Sequence, residues 1–155
     1  MPDQEILNEM IAVYRDLNLR LRGTDLDSIK GNKADNGETL EQILGRMRDR
    51  EYNCSQAIKR MSIGDDASGI DEKARAEVLD ELILTGITPM ILLSQYGTAR
   101  EATLSLIRSL DDEAWDAERQ TPRGKMTIRE YLRAILNDDR EDEKLLSQLV
   151  ETAAA

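Results

Sequence analysis

The sequence predicts an all-α protein: a four-helix bundle with a long crossover that carries a short extra helix between its second and third long helices. Three observations predict this fold. The strong apolar patterns along the 155 residues all recur every three or four positions, which is the helical period. Polar capping residues stand directly before these patterns. No stretch carries the alternating pattern of a strand with any weight. With 40% apolar residues, the chain suits one domain around one hydrophobic core.

The first long helix is expected from about Asp3 to Arg22. Its apolar residues follow a helical period, at Leu7, Met10, Tyr14, Leu17 and Leu21. The stretch that follows, RGTDLDSIKGNKADNG, is rich in Gly, Asp and Asn. Because these residues favour turns, the stretch predicts a loop.

The second long helix is expected to begin at Thr39, where the letters TLEQ have the spacing of a capping box, and to end at about Ser62. Its apolar stripe is Leu40, Ile43, Leu44, Met47, Cys54, Ile58 and Met61. The letters IGDDASG then break the pattern, and a shorter helix is expected over about Asp71 to Leu84. The long segment that separates the second and third long helices predicts a crossover connection.

Thr88 followed by Pro89 predicts an N-cap with proline at the first helical position, so the third long helix runs to about Leu110. A short capped turn and a loop, QTPRGK, come next. The fourth long helix begins at Thr127, where TIRE is another capping box, and runs to about Val150. Residues 1–150 are therefore expected to form a single bundle domain, and the tail 151–155 is expected to fray.

Composition excludes several classes of function. The net charge of −10 repels nucleic acid and anionic membranes, so neither is an expected partner. The absence of His rules out imidazole metal sites and Ser-His-Asp triads. Cys54 is the only cysteine, so it forms no internal disulfide, and we expect a small buried hydrophobe rather than a nucleophile. The first ten residues do not resemble a secretion signal, and a cytoplasmic location is expected.

Carboxylates interrupt the apolar face of the fourth long helix. At 100° per residue from Ile128, Asp139 and Asp142 fall within the apolar stripe and Asp138 falls at its edge. An unpaired buried carboxylate is costly, so such groups are normally paired, protonated or bound to metal. One interpretation is a polar layer inside the bundle. The other is a solvated end of the bundle, where the charges reach water.

The second long helix carries matching charges. Glu51 lies near the centre of its apolar stripe, Arg50 at one border and Arg46 just beyond. If the second and fourth helices are antiparallel, their lengths place Arg46 near the level of Asp142 and Arg50 near that of Asp138. The polar-layer hypothesis therefore predicts that Arg46 hydrogen-bonds Asp142, Asp138 or both, and that Arg50 offsets the remaining negative charge.

The order of helices and three stretches of sequence resemble the DinB-like four-helix-bundle family. The stretches are TLEQILGRMRDRE, LDDEAWDAERQTPRGKMT and TIREYLRAILNDDREDEKLLSQL. The family includes thiol-dependent transferases and isomerases, pairs its subunits, and typically binds a divalent metal through three histidines. In this resemblance, Arg46, Asp138 and Asp142 occupy the three histidine positions. The resemblance therefore implies a bundle with a degenerate metal site.

Three functional interpretations remain open, and none identifies a catalytic residue. The first is a protein without metal-dependent catalysis and without a cofactor, which binds an unknown small molecule or protein partner in the bundle cleft. The second is a DinB-like hydrolase or thiol-dependent transferase, with Mg²⁺, Mn²⁺ or Ca²⁺ held by Asp138, Asp142 and either Asp139 or Glu51. The third is a purely structural or assembly role. The resemblance implies a homodimer, and the helix over Asp71–Leu84 is expected either to cap the cleft or to form an interface.

Overall fold

The structure is a computed structural model that describes residues 3–73 and 76–154, and 71% of these residues are helical. The four long helices are α1 (Gln4–Arg22), α2 (Leu40–Ser62), α4 (Pro89–Arg108) and α6 (Ile128–Ala154). Two short helices, α3 (Ala76–Leu84) and α5 (Asp112–Asp116), lie in the connections. The predicted four-helix bundle with a short helix in the crossover is confirmed. No helix in the described part of the chain is long and apolar enough to cross a membrane.

The predicted caps begin the long helices. Thr39 and Gln42 form a complete capping box, in which each side chain accepts a hydrogen bond from the other's backbone N–H. Thr88 accepts from a backbone N–H of the first turn of α4, with proline at the first helical position. Thr127 and Glu130 make the same reciprocal pair at the start of α6, with both bonds 3.0 Å long. These polar residues supply the acceptors that a helix N-terminus lacks.

The core is built from Leu, Ile and Met side chains of all four long helices, and α2 packs most extensively against α4. Two glycines allow close approaches between elements. A Cβ on Gly45 of α2 would overlap the side chain of Leu79, so the notch at Gly45 seats α3 against α2. A Cβ on Gly97 of α4 would overlap the ring of Tyr14 on α1. Both glycines are therefore required by packing rather than by backbone conformation.

The connection before α6 contains a hairpin that the sequence analysis missed. Strands β1 (Glu118–Thr121) and β2 (Gly124–Thr127) pair antiparallel, so the expectations of no strand and of a loop over QTPRGK were wrong. Strands of four residues are too short to establish an alternating pattern. Gly124 has φ of 109°, which the tight turn requires, and the backbone of Ala67 donates to Gln120 at 3.0 Å. Contacts outside the hairpin thus help to hold it.

Some helix boundaries also differ from the prediction. The fourth long helix continues past Val150 to Ala154, and the expected fraying of residues 151–155 stays a prediction. Alanine is the strongest helix former, and the Thr152 hydroxyl donates back to the carbonyl of Gln148 at 2.9 Å. The third long helix ends at Arg108 rather than Leu110. The short helix begins at Ala76, and positions 74 and 75 of its predicted range lie outside the described residues.

Candidate functional site

A buried arginine occupies the centre of the bundle. Arg100 of α4 is 1% exposed, and its Nη2 lies 2.8 Å from Oε1 of Glu51 on α2. The same guanidinium contacts Asp139 of α6, donates to the Tyr96 hydroxyl at 2.8 Å and donates to the carbonyl of Met10 on α1 at 3.1 Å. One side chain therefore bonds to all four long helices. The planar fork of a guanidinium makes this possible, because its five N–H groups point in fixed and different directions.

A second arginine, on α2, connects two carboxylates of α6. Arg50 of α2 donates through Nη2 to Asp139 at 2.8 Å and to Asp142 at 2.7 Å. The side chain of Arg50 is only 9% exposed. The sequence placed Arg50 near the level of Asp138, and its partners are the next carboxylate along α6, Asp139, and Asp142. Asp139 and Asp142 are the carboxylates within the apolar stripe of α6, so they face α2 directly.

Arg46 forms the outer end of the network. Its guanidinium binds both carboxylate oxygens of Asp142, at 2.8 and 2.9 Å. The predicted contact of Arg46 with Asp142 is therefore confirmed. It also binds Glu38, in the loop before α2, through Nη2 at 2.7 Å and Nε at 3.1 Å. We call the connected set the arginine ladder; its members are Arg100, Glu51, Asp139, Arg50, Asp142, Arg46 and Glu38.

Asp138 joins a different cluster. Its carboxylate pairs with Arg123, in the turn between β1 and β2, at 2.6 Å. Arg123 also binds Glu72, in the connection that precedes α3, at 2.6 Å, and the Tyr131 hydroxyl donates to Glu72 at 3.0 Å. Asp138 therefore pairs with neither Arg46 nor Arg50. It lies at the edge of the α6 stripe, so it points towards the hairpin rather than towards α2.

The burial of the carboxylates distinguishes a polar layer inside the bundle from a solvated end of the bundle. Glu51 and Asp139 are each 1% exposed, and Asp142 is 4% exposed. The solvated-end interpretation is therefore wrong for these three carboxylates. The side chain of Asp138 is 43% exposed, so that interpretation describes Asp138 alone. Cys54 is fully buried, as expected for a small hydrophobe.

The ladder shifts several pKa values. Burial raises the pKa of Glu51, although Arg100 and Thr103 act in the opposite direction. Burial would lower the pKa of Arg50, but the attraction of Asp139 and Asp142 outweighs it, so the pKa of Arg50 is raised. Its guanidinium therefore stays charged inside the bundle.

A pocket of about 500 Å³ opens beside the outer end of the ladder. It lies between α2, α3 and α6, and Arg123 of the hairpin turn closes one side. The short helix α3 lines the pocket with Leu79 and Asp80, so it covers one side of the cleft. This volume lies within the usual range of small-molecule sites. The lining residues are Glu38, Gln42, Arg46, Asp49, Arg50, Glu72, Lys73, Leu79, Asp80, Arg123, Asp138, Glu141 and Asp142.

The donor set does not fit a divalent metal. Within residues 3–73 and 76–154, no group of three or more carboxylate or thiol side chains is arranged to hold an ion. Both oxygens of Asp142 are engaged by arginines, and Asp138 is bound to Arg123. A cation between these carboxylates would compete with guanidiniums that already balance their charge and would repel them.

Sequence reasoning missed the centre of the ladder and the second cluster. Arg100 lies four residues from both Tyr96 and Leu104, within the apolar stripe of α4. Like Glu51 on α2, Arg100 is a charged residue within an apolar stripe, and that pattern is the sequence signal that marks it. Glu72 and Arg123 lie in connections without periodicity, so no comparable signal marks them.

The bundle, its crossover and the hairpin before α6 define a mostly helical, DinB-like fold. Among solved structures, the mycothiol-dependent maleylpyruvate isomerase matches 94% of this chain with a TM-score of 0.72 and 15% identity. A histidine-to-alanine mutant of that isomerase matches equally well. The chain spans 61% of the length of the isomerase chain, and at this identity the likeness shows the fold alone. No protein-family model matches the sequence, and no match is found among the curated proteins.

Proposed function

We propose that this protein is a DinB-like binding protein that takes a small molecule into the pocket between α2, α3 and α6, without metal-dependent catalysis. The observation that supports this is the arginine ladder. At the positions that resemble the family's metal ligands, Arg46 and Asp142 neutralise each other and Asp138 is neutralised by Arg123. The concave site remains beside them, with a volume suited to a small ligand.

A thiol-dependent transferase or isomerase is the second candidate, because a mycothiol-dependent isomerase is a structural neighbour over 94% of the chain. On this alternative the pocket holds a low-molecular-weight thiol and a divalent cation bound by carboxylates. The two candidates differ in metal content. We expect tag-free protein to contain no stoichiometric zinc, nickel or manganese, because the ladder leaves no suitable donor set. One metal ion per chain in elemental analysis would favour the enzyme.

A pocket-filling variant tests the binding function. Lys73 is exposed and lines the pocket, whereas Lys59 is exposed at the last turn of α2 and does not line it. A metabolite library, screened by thermal shift in the presence of a chelator, should yield a saturable ligand for the wild-type protein. Lys73→Trp should abolish its binding and Lys59→Trp should not. Equal binding to both variants would exclude the pocket as the binding site.

The physiological setting follows from the resemblance and the charge. We propose that the protein acts in the cytoplasm as a homodimer, as the family resemblance implies. Neither nucleic acid nor membrane is a proposed partner, because the net charge is −10. Small-angle scattering should give twice the monomer mass of 17.5 kDa, and a monomeric mass would remove the dimer from this proposal.

A further inference from the structure

The chemical class of the ligand can be inferred from the polar groups that line the pocket, provided that the pocket is the binding site proposed above. Arg50 lines the pocket and its side chain is nine-tenths buried. Among the residues that the structure describes, its two hydrogen bonds both use Nη2, so Nε and Nη1 have no protein acceptor. A buried arginine normally satisfies its donors. Neither Nε nor Nη1 of Arg50 is fully buried, so both are open to an acceptor, water or a ligand oxygen, that enters through the pocket.

The acceptor at Arg50 is more favourable if it is neutral. Arg50 is already bound to Asp139 and Asp142, so its single positive charge is shared between two buried carboxylates. A third carboxylate at this point would be repelled by both, with little water to screen them. A carbonyl or hydroxyl oxygen accepts the same hydrogen bonds without that repulsion.

The rest of the pocket favours a positive charge. Its lining contains seven carboxylates and four cationic side chains, and two of the carboxylates, Asp49 and Glu141, pair with Arg48 and Lys144 outside the lining. The guanidiniums of Arg46 and Arg123 are each bound by two carboxylates, so they offer little to an anion. Asp80 and Glu141 are exposed, which places them at the rim. A cation at the rim would meet the carboxylate of Asp80 and that of Glu141, whose exposed pair with Lys144 at 3.0 Å contributes little.

We propose that the pocket binds a small organic cation that also carries a neutral oxygen acceptor. The oxygen accepts from Nε and Nη1 of Arg50 at the inner end, and the ammonium group lies among the carboxylates of the rim, including Asp80 and Glu141. The hydrocarbon between them lies against Leu79, the apolar residue of the lining. This inference rests on the proposed binding function and adds the ligand class to it.

A panel of simple compounds tests the class directly by calorimetry or NMR titration at millimolar concentration. Glycinamide, 4-aminobutanamide and 6-aminohexanamide carry both groups at increasing separation. Hexanamide lacks the ammonium group and hexylamine lacks the acceptor. In 6-aminohexanoate an anion replaces the neutral acceptor, and in adipate anions replace both the acceptor and the ammonium group. We expect at least one amino amide to bind about tenfold or more tightly than every control, the loss expected when one hydrogen bond to a charged group is removed.

Rim variants separate local from general charge effects. The double variant Asp80→Asn, Glu141→Gln should weaken the binding of the best amino amide by about fivefold and leave the binding of hexanamide unchanged. Glu101→Gln, an exposed charge change on α4 outside the pocket, should have no effect. Arg50→Lys keeps the positive charge but loses the planar set of guanidinium donors, so it should weaken binding of the best amino amide and of hexanamide about tenfold. Circular dichroism checks that this variant is folded.

The outcomes distinguish this inference from the function on which it rests. If adipate or hexylamine binds as well as the best amino amide, the ligand class is wrong. If no amino amide binds, while another compound binds the wild-type protein and is excluded by Lys73→Trp, the class is wrong and the binding function stands. If no compound of either set binds, both fail.

Discussion

Arg100→Met is expected to be the most destabilising single substitution in the ladder. The side chains of Arg100, Glu51 and Asp139 are each 1% exposed, so water cannot replace the lost cation. Asp139 would retain Arg50 at 2.8 Å. Among the described residues, Glu51 would retain only the Thr103 hydroxyl, which donates to it at 3.1 Å. The substitution therefore leaves one carboxylate almost unpaired in the core.

The magnitude follows from that loss. Removing one partner of a buried ion pair costs about 3–5 kcal/mol, which is a large share of the stability of a domain of this size. The double variant Arg100→Met, Glu51→Met removes both charges. Because burying a matched pair contributes little net stability, the double variant should lose only about 0–2 kcal/mol. The coupling energy between the two positions should then exceed about 2 kcal/mol.

Urea denaturation, extrapolated linearly at constant slope, measures these free energies of unfolding. Arg108→Met, an exposed change in the last turn of the same helix, should change the free energy of unfolding by less than about 0.5 kcal/mol. A loss below about 1 kcal/mol for Arg100→Met would refute the reasoning. A double variant as unstable as the single one would also refute it, since it would locate the cost in lost packing rather than in the stranded charge.

Three further substitutions test neighbouring parts of the structure. Arg46→Ala should lower the free energy of unfolding by about 1–2 kcal/mol, less than Arg100→Met, because the Arg46 side chain is 33% exposed and water can partly replace it. The control Arg15→Ala, at an exposed ion pair, should change the free energy of unfolding by less than about 0.5 kcal/mol. Equal melting temperatures for the wild type and Arg46→Ala would contradict this prediction. The raised pKa of Glu51 means that its contribution to stability is complete below the unfolded value of about 4.3 and declines as pH rises towards the folded pKa. Glu51→Gln should therefore gain stability relative to the wild type from about pH 4 to pH 7 in denaturation measurements, and a pH-independent difference would show that Glu51 is not perturbed. Gly97→Ala should cost about 1–3 kcal/mol in thermal unfolding, because a Cβ would overlap the ring of Tyr14; an unchanged melting temperature would show that the ring moves aside freely.

Several features could be predicted from the sequence because they are local. Thr39, Thr88 and Thr127 mark helix starts, since a capping residue and the backbone it bonds lie within one turn. The period of the apolar residues also fixes which side of each helix faces inward. Asp139 and Asp142 therefore lie in the core, as their stripe predicts. The contact of Arg46 with Asp142 followed from two helices of similar length lying antiparallel.

The tertiary structure alone decided which cation neutralises each carboxylate. Periodicity gives the angle of a residue around its own helix, but it gives neither the crossing of two helices nor the path of a connection. Asp138 pairs with Arg123 because a hairpin that sequence patterns did not reveal brings that turn beside α6. Arg100 reaches Glu51, Asp139 and the carbonyl of Met10 only where all four long helices meet. The sequence by itself therefore determined the helices and the charged stripes. The pairing and the pocket depend on packing between residues far apart in the chain, which local patterns do not encode.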